Sequence, residues 1–137
     1  MYPVELTIPM AKDLTDFGFK GLTSPQEVKD TIENTPGTLL LVVNSVCGCA
    51  AANARPGAKI ALDNEKKPSA CATVFAGVDR DAVNTAREFL LPYPPSSPAI
   101  ALFKNGQLVH MLERHHIEGR SATMIADNLK QAFDAHC

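Results

Sequence analysis

The 137-residue chain lacks several features that would assign a class at once. No apolar run approaches the roughly 20 residues of a membrane span, so no membrane-spanning helix is expected. The start, Met1-Tyr-Pro-Val-Glu-Leu-Thr, has neither the basic region nor the apolar run of a signal peptide, which predicts a cytoplasmic protein. The formal net charge is only −2, so nothing electrostatic points to nucleic acid or an anionic membrane as partner. Internal repeats, linkers and low-complexity segments are missing. The length holds one domain with a substantial core but not two comfortable ones, so residues 1–137 are expected to form one domain. Cysteine is scarce too. Four cysteines in a chain kept in a reducing compartment point to catalysis or metal binding rather than a disulfide framework.

What is present is organised around Leu39-Leu-Leu-Val-Val-Asn-Ser-Val-Cys-Gly-Cys49. Leu39 to Val43 is apolar without alternation, the pattern of a strand covered on both faces. After Cys49 the chain turns to Ala50-Ala-Ala-Asn-Ala54, rich in the strongest helix former. This reads as strand, loop, helix, with Cys47 and Cys49 at the helix start. Helix N-termini present unpaired N–H groups and partial positive charge. A thiol there is pushed below its ordinary pKa, toward the nucleophilic thiolate. The plain alternative is two small buried residues. A second chemical alternative is a Cys-x-Cys metal site or carrier for Cu(I) or Zn²⁺, with His115 and His116 approaching in space.

The surrounding pattern predicts further elements. A short helix is expected over Ala11–Phe19, with Phe17, Phe19 and Leu22 packed inward. Ser24-Pro-Gln-Glu27 is a capping box opening a helix to about Asn34, with Val28 and Ile32 inward. The helix after Cys49 should reach about Asn64, kinked by Pro56, with Ile60 and Leu62 toward the core. Ala70 to Val78 is a second apolar strand, completing a right-handed βαβ unit. Asp79 should cap a helix through Leu90. The stiff run Pro92-Tyr-Pro-Pro-Ser-Ser-Pro98 delivers the chain to Ala99–Phe103. Asn105-Gly106 signals a hairpin returning over Leu108–Arg114. Gly119 and Ser121 open a last helix with Ile125, Leu129, Ala132 and Phe133 buried.

Strand, helix, strand, helix, then proline, hairpin and helix is the thioredoxin-like plan. The expected fold class is therefore α/β: a mixed central sheet flanked by helices, with residues 1–37 an N-terminal helical extension packed on the core. Cys47-Gly-Cys49, Pro56 and Ser97-Pro98-Ala-Ile-Ala-Leu-Phe-Lys-Asn-Gly106 carry the resemblance. In that fold the proline before the hairpin is cis and lies against the redox cysteines, and Pro98 matches it. Thioredoxins carry Cys-x-x-Cys, however, where this chain has Cys-x-Cys. With Arg55-Pro56 and Arg114-His-His-Ile-Glu-Gly-Arg-Ser121, the chain resembles the bacilliredoxin family from end to end, most specifically over Asn44–Cys49 and His115–Arg120.

The resemblance implies a thiol–disulfide oxidoreductase that removes bacillithiol, or a similar low-molecular-weight thiol, from protein mixed disulfides, with disulfide isomerase activity in some members. Cys47 would attack and take up the small thiol; Cys49 would displace it, leaving a Cys47–Cys49 disulfide. A ring closed over one residue favours a weaker reductant than Cys-x-x-Cys. Gly48 would help by tolerating unusual dihedrals. Ser97 and Pro98 would shape the substrate groove, and Gly48, Arg55, His115 and His116 would stand around the bound thiol, the basic groups facing its carboxylates. Arg55 has a second reading as part of a solvated helix face. Asn44 and Ser45 would hold the loop. Cys71 reads as a packing residue, and Cys137 as either an incidental or an accessory thiol. No metal or other cofactor is implied beyond the redox-active disulfide and bacillithiol as co-substrate. The partners would be S-thiolated proteins and the small thiol, with no nucleic acid or membrane, and a homodimer left open.

Overall fold

In a computed structural model, residues 2–137 are described; Met1, the first residue of the expected 1–137 domain, lies outside them. Five strands form one sheet: β1 (Lys20–Gly21), β2 (Thr38–Asn44), β3 (Ala70–Phe75), β4 (Ala99–Lys104) and β5 (Gln107–Leu112). Their order is β1-β3-β2-β4-β5. β1 and β2 run parallel to β3, β4 antiparallel to β2, and β5 antiparallel to β4. The helices are α1 (Val4–Thr15), α2 (Pro25–Asn34), α3 (Arg55–Ala61), α4 (Arg80–Phe89), α5 (Arg114–Ile117) and α6 (Ala122–His136), with a π-helical turn, Ala50–Ala54, running into α3.

Every residue of β2 is buried, as its unbroken apolar run predicts. Leu39, Leu41 and Val43 point to one face, where α2 and α4 add Val28, Ile32, Ala82, Val83 and Ala86. Leu40 and Val42 point to the other, where α1, the π turn, α3 and α6 add Leu14, Ala54, Ala58, Ala61, Ile125, Leu129 and Phe133. Alanines let α3 and α6 approach closely, and Gly57 carries this furthest. A Cβ there would lie 2.7 Å from Ile125 Cγ2 and 3.2 Å from the Ala122 carbonyl oxygen.

Local signals behave as their chemistry requires. Ser24 Oγ accepts from Glu27 N–H at 3.2 Å and caps α2 as expected, but Glu27 Oε1 accepts from Thr23 N–H at 3.0 Å rather than from Ser24 N–H, so the reciprocal half of the box falls one residue outside the helix cap. Asn105 (φ 49°) and Gly106 (φ 80°) make the tight hairpin turn with both central residues at positive φ.

Several expectations are corrected. The first helix covers Val4–Thr15 rather than Ala11–Phe19, with Pro9 inside it as its sixth residue, where it removes the backbone bond to the Glu5 carbonyl. Phe17 is 53% exposed, whereas Phe19 and Leu22 are buried as expected. β3 ends at Phe75, and β5 ends at Leu112 before the short α5. Asp79 stands at the N-cap of α4 without a side-chain capping bond. The helix after Cys49 ends at Ala61, and Ile60 is 42% exposed. Pro56 explains both the turn and the phase. It has no N–H to donate, and the Arg55 N–H bonds five residues back to the Ala50 carbonyl. The extra residue in that turn rotates α3, so Ala58 and Ala61 face the core instead of Ile60.

The register sets the position of the site. Val43 pairs with Ala99, and Ile100 with Leu112. The exit of β2, the entry to β4 and the exit of β5 therefore share one edge of the sheet. The loop bearing Cys47, the Ser97-Pro98 segment and the start of α5 all lie there.

Candidate active site

Cys47 follows β2 after Asn44, Ser45 and Val46. It occupies the N-cap position of the cysteine helix, since its carbonyl accepts from Ala50 N–H at 2.9 Å and Ala51 N–H at 3.3 Å. Its Sγ accepts from the Cys49 N–H at 3.4 Å, the bond a serine or aspartate oxygen makes at other helix starts. That donor and the helix dipole both favour negative charge on this sulfur once it is reduced. Cys47 and Cys49 are joined as a disulfide with their Cα atoms 5.3 Å apart, inside the range a disulfide spans. Cys47 is half-buried and Cys49 is 9% exposed, so an incoming group meets Cys47 first. Gly48 is exposed, with nothing within 4 Å of a Cβ placed on it. Its φ is not in the left-handed region, so the conformational freedom expected of it is not used; an unobstructed approach to the two sulfurs is what its small size provides.

The loop is pinned from below. Ser45 Oγ accepts from Cys47 N–H at 3.2 Å, and Asn44 Oδ1 accepts from Ser45 N–H at 2.9 Å. Asn44 Nδ2 donates to the Met10 carbonyl in α1 at 3.1 Å. Arg55 is the largest departure from the sequence reading. It is 5% exposed, so it does not lie on a solvated face, and its burial leaves the guanidinium little surface to offer an incoming thiol. Its Nη1 donates to Asn44 Oδ1 at 3.0 Å and to the Ser45 carbonyl at 3.2 Å, and its Nε pairs with Asp13 Oδ2 at 2.9 Å. Lys59 takes the other Asp13 oxygen at 2.5 Å. Burial raises the pKa of Asp13, but Lys59 and Arg55 outweigh it and hold the carboxyl below the ordinary aspartate value.

The rest of the edge comes from β4 and α5. The Ser97–Pro98 bond is cis and Pro98 is buried. Arg114 ties α5 to this segment, its N–H donating to Ser96 Oγ at 2.7 Å and its Nη1 to the Ser97 carbonyl at 3.4 Å. Asn53, on the π turn, donates to the Arg120 carbonyl. Residues 114–120 thus bridge the cis-proline segment and the cysteine helix. An open groove of about 450 Å³ runs along this side, lined among others by Pro95, Ser96, Ser97, Arg114 and His115.

His115 and His116 stand on that bridge, on the sequence-predicted edge. Their rings are 4.0 Å apart, and with Glu113 they offer three ligand atoms within 4.8 Å of one another. No cysteine joins that group among the described residues. His116 Nδ1 already accepts the Glu113 N–H at 3.0 Å as part of the α5 cap. The neutral ring then carries its proton on Nε2, so binding a cation would require breaking the cap.

Cys71 and Cys137 sit elsewhere. Cys71 opposite Leu40 is near the start of β3, at the far edge of the sheet. α6 ends on that side too, since Asn64 beside β3's entry donates to Asp134 at 2.9 Å. Cys137 follows that end and is close enough to Cys71 for its charge to act there. Burial pushes the Cys71 thiol up to about 11, and Cys137 adds to the shift. Cys137 is therefore not placed to resolve Cys47. Asp13 and Lys59 were missed from sequence, because α1 was misplaced and nothing local marks a carboxylate that reaches across 42 residues to Arg55.

The family described as "Disulphide isomerase" matches residues 2–137. A bacilliredoxin of Cytophaga hutchinsonii is 58% identical over 134 residues, 98% of each chain. One from Koribacter versatilis is 47% identical over 137 residues, covering 100% of this chain and 94% of its own. A mutant thioredoxin from Halobacterium salinarum superposes with a TM-score of 0.62 at 15% identity, over 88% of this chain and 91% of that one, which shows the thioredoxin-like fold. No helix among the described residues is long and apolar enough to cross a membrane. With a paired Cys-Gly-Cys at a helix start and relatives of this closeness along the whole length, the chain belongs to the bacilliredoxin family of thiol–disulfide oxidoreductases.

Proposed function

We propose that the protein removes bacillithiol from protein mixed disulfides, with Cys47 as nucleophile and Cys49 as resolving thiol. The observation that carries the reading is the N-cap placement of Cys47, half-exposed with its sulfur facing an N–H donor, beside a buried Cys49 within bonding reach. In the first step the Cys47 thiolate attacks the small thiol's sulfur in the mixed disulfide. A Cys47–bacillithiol disulfide forms, and the substrate protein leaves as a thiolate that takes a proton from solvent. In the second step the Cys49 thiolate attacks Cys47 Sγ and bacillithiol leaves. The reduced pair has been oxidised to Cys47–Cys49, and an external thiol must return its electrons. Ser97, Pro98 and Gly48 leave backbone open along the path of the incoming disulfide, and Arg114 and His115 offer its carboxylates a basic rim. The family description also supports disulfide isomerisation, in which Cys47 attacks a wrong disulfide and a substrate thiol releases it before Cys49 acts. The setting is the cytoplasm, and S-thiolated proteins are the partners.

The test is turnover of a reporter protein blocked with bacillithiol, run beside the same protein blocked with glutathione. The reduced chain should release bacillithiol stoichiometrically, ending as the Cys47–Cys49 disulfide, and should act at least tenfold more slowly on the glutathione adduct. Equal rates on both adducts would remove the bacillithiol assignment. No release from either, together with tight uptake of Cu(I) or Zn²⁺ by the reduced protein, would favour the metal carrier instead.

A further inference from the structure

The buried Arg55 has no part in the steps just described, yet it is among the most completely engaged side chains of the molecule. Its guanidinium lies beneath the cysteine loop, with two of its nitrogens committed to Asp13 Oδ2, Asn44 Oδ1 and the Ser45 carbonyl. Ser45 in turn fixes the Cys47 N–H. The chain of contacts from guanidinium to Cys47 is one hydrogen bond and two residues long, which keeps the cation within about 10 Å of the Cys47 backbone. Asp13 does not cancel that charge, because it is shared with Lys59. One carboxylate between two cations leaves the cluster net positive. The other charged groups of this edge are Glu113 and, on the bridge, Arg114, His115, Glu118 and the exposed Arg120; Arg114 pairs with Glu118 and His115 faces Glu113. Arg114, His115 and Glu118 are exposed, so salt and water screen them far more than the 5% exposed Arg55.

We infer that Arg55, held by Asp13 of α1, is a positioning residue for Cys47: it fixes the Asn44–Cys47 loop and supplies a buried positive charge that favours the thiolate. The N-terminal helix is then part of the catalytic apparatus, since Asp13 orients the guanidinium and the Met10 carbonyl holds Asn44. The sequence alone offered Arg55 only as a substrate contact or a solvated residue. The geometry assigns it to neither.

The inference rests on Cys47 being the attacking thiol, and the experiment separates the two. Reduced protein carrying Cys49→Ser is alkylated with iodoacetamide across pH, and the rate at each cysteine is read by peptide mass. In that background Arg55→Gln should raise the pH midpoint for Cys47 by about one pH unit, from the loss of a charge at this distance. Arg55→Lys should stay near the parent midpoint, because it keeps the charge. Asp13→Asn should move the midpoint the other way, by a smaller amount, because it removes the negative member and leaves both cations. Opposite signs distinguish a charge effect from mere loosening, which would move both variants in one direction. A shared direction, or no movement in either variant, overturns the inference. If Arg55→Gln does not fold, Arg55→Lys and Asp13→Asn still give the answer. If Cys47 is not the first thiol alkylated in the parent, it is the proposed function that fails.

Discussion

Two thiols on neighbouring parallel strands meet opposite fates in this molecule. Cys47 lies just beyond the end of β2, where the chain has left the sheet and a helix begins, half-exposed and facing an N–H donor. Cys71 lies near the start of β3, packed against the core that α6 completes, with its pKa pushed up to about 11. The residue type is the same and the sheet is the same. What differs is which end of the strand carries the sulfur. The C-terminal end of a parallel strand opens onto helix N-termini and loops, where charge is welcome. At the N-terminal end here no helix N-terminus faces the sulfur, and Cys71, though only half-buried, packs against the apolar cluster, where charge costs more. Reactivity in this fold is thus a property of an edge.

The sharpest way to break the comparison is to exchange the two thiols' importance by mutation. Cys47→Ala should abolish turnover of a mixed disulfide. Cys71→Ala should stay within about twofold of the parent rate, since a thiol raised to about 11 is almost wholly protonated at neutral pH, and Cys137→Ala should do the same because that residue lies at the far edge. A large loss with Cys71→Ala at unchanged thermal stability would show that the far edge takes part in the chemistry.

Acid should separate the two edges by a smaller margin. Asp13 is held below its ordinary pKa in the folded chain, chiefly against the cost of burial, by Lys59 and Arg55. A carboxyl depressed on folding stabilises above its unfolded pKa of about 3.9, and that contribution fades as pH falls through the folded value. The active-site edge should accordingly loosen below about pH 4, while Asp63 and Asp134 at the Cys71 edge make no ion pair among the described residues. Hydrogen exchange should show faster opening at Asn44–Cys47 than in β3 as the pH is lowered. Asp13→Asn should abolish the pH dependence of that difference. With Asp13 about one-third exposed, solvent screening keeps the effect modest.

Much of this was legible beforehand, and the part that was not has a common cause. The unbroken run of β2, the Ser24 cap and the Asn105-Gly106 turn depend on residues close in sequence, so their signals survive without coordinates, whereas the cis bond at Pro98 was expected only from the resemblance to the thioredoxin-like plan. The rotation of α3 depends on Pro56 forcing a π turn, and an extra residue per turn cannot be counted from composition. Ile60 was assigned to the core for that reason. α1 begins seven residues before the expected Ala11 and keeps Pro9 in its second turn, and no capping side chain marks its start, because its N-cap is Pro3. Arg55 was visible as a charged residue beside the cysteines, but its burial depends on Asp13, which only the folded chain brings near. Cys137 was offered as an accessory thiol because sequence gives no distance between the ends of α6 and β2.

The most direct test of the central claim, that one sulfur at a helix start carries the chemistry, is the fate of each cysteine in a Cys49→Ser variant exposed to bacillithiol-blocked protein. Peptide mass mapping should find one bacillithiol, on Cys47, with Cys71 and Cys137 unmodified. An adduct spread over Cys137 or Cys71, or a Cys47 left free while the substrate is consumed, would contradict it.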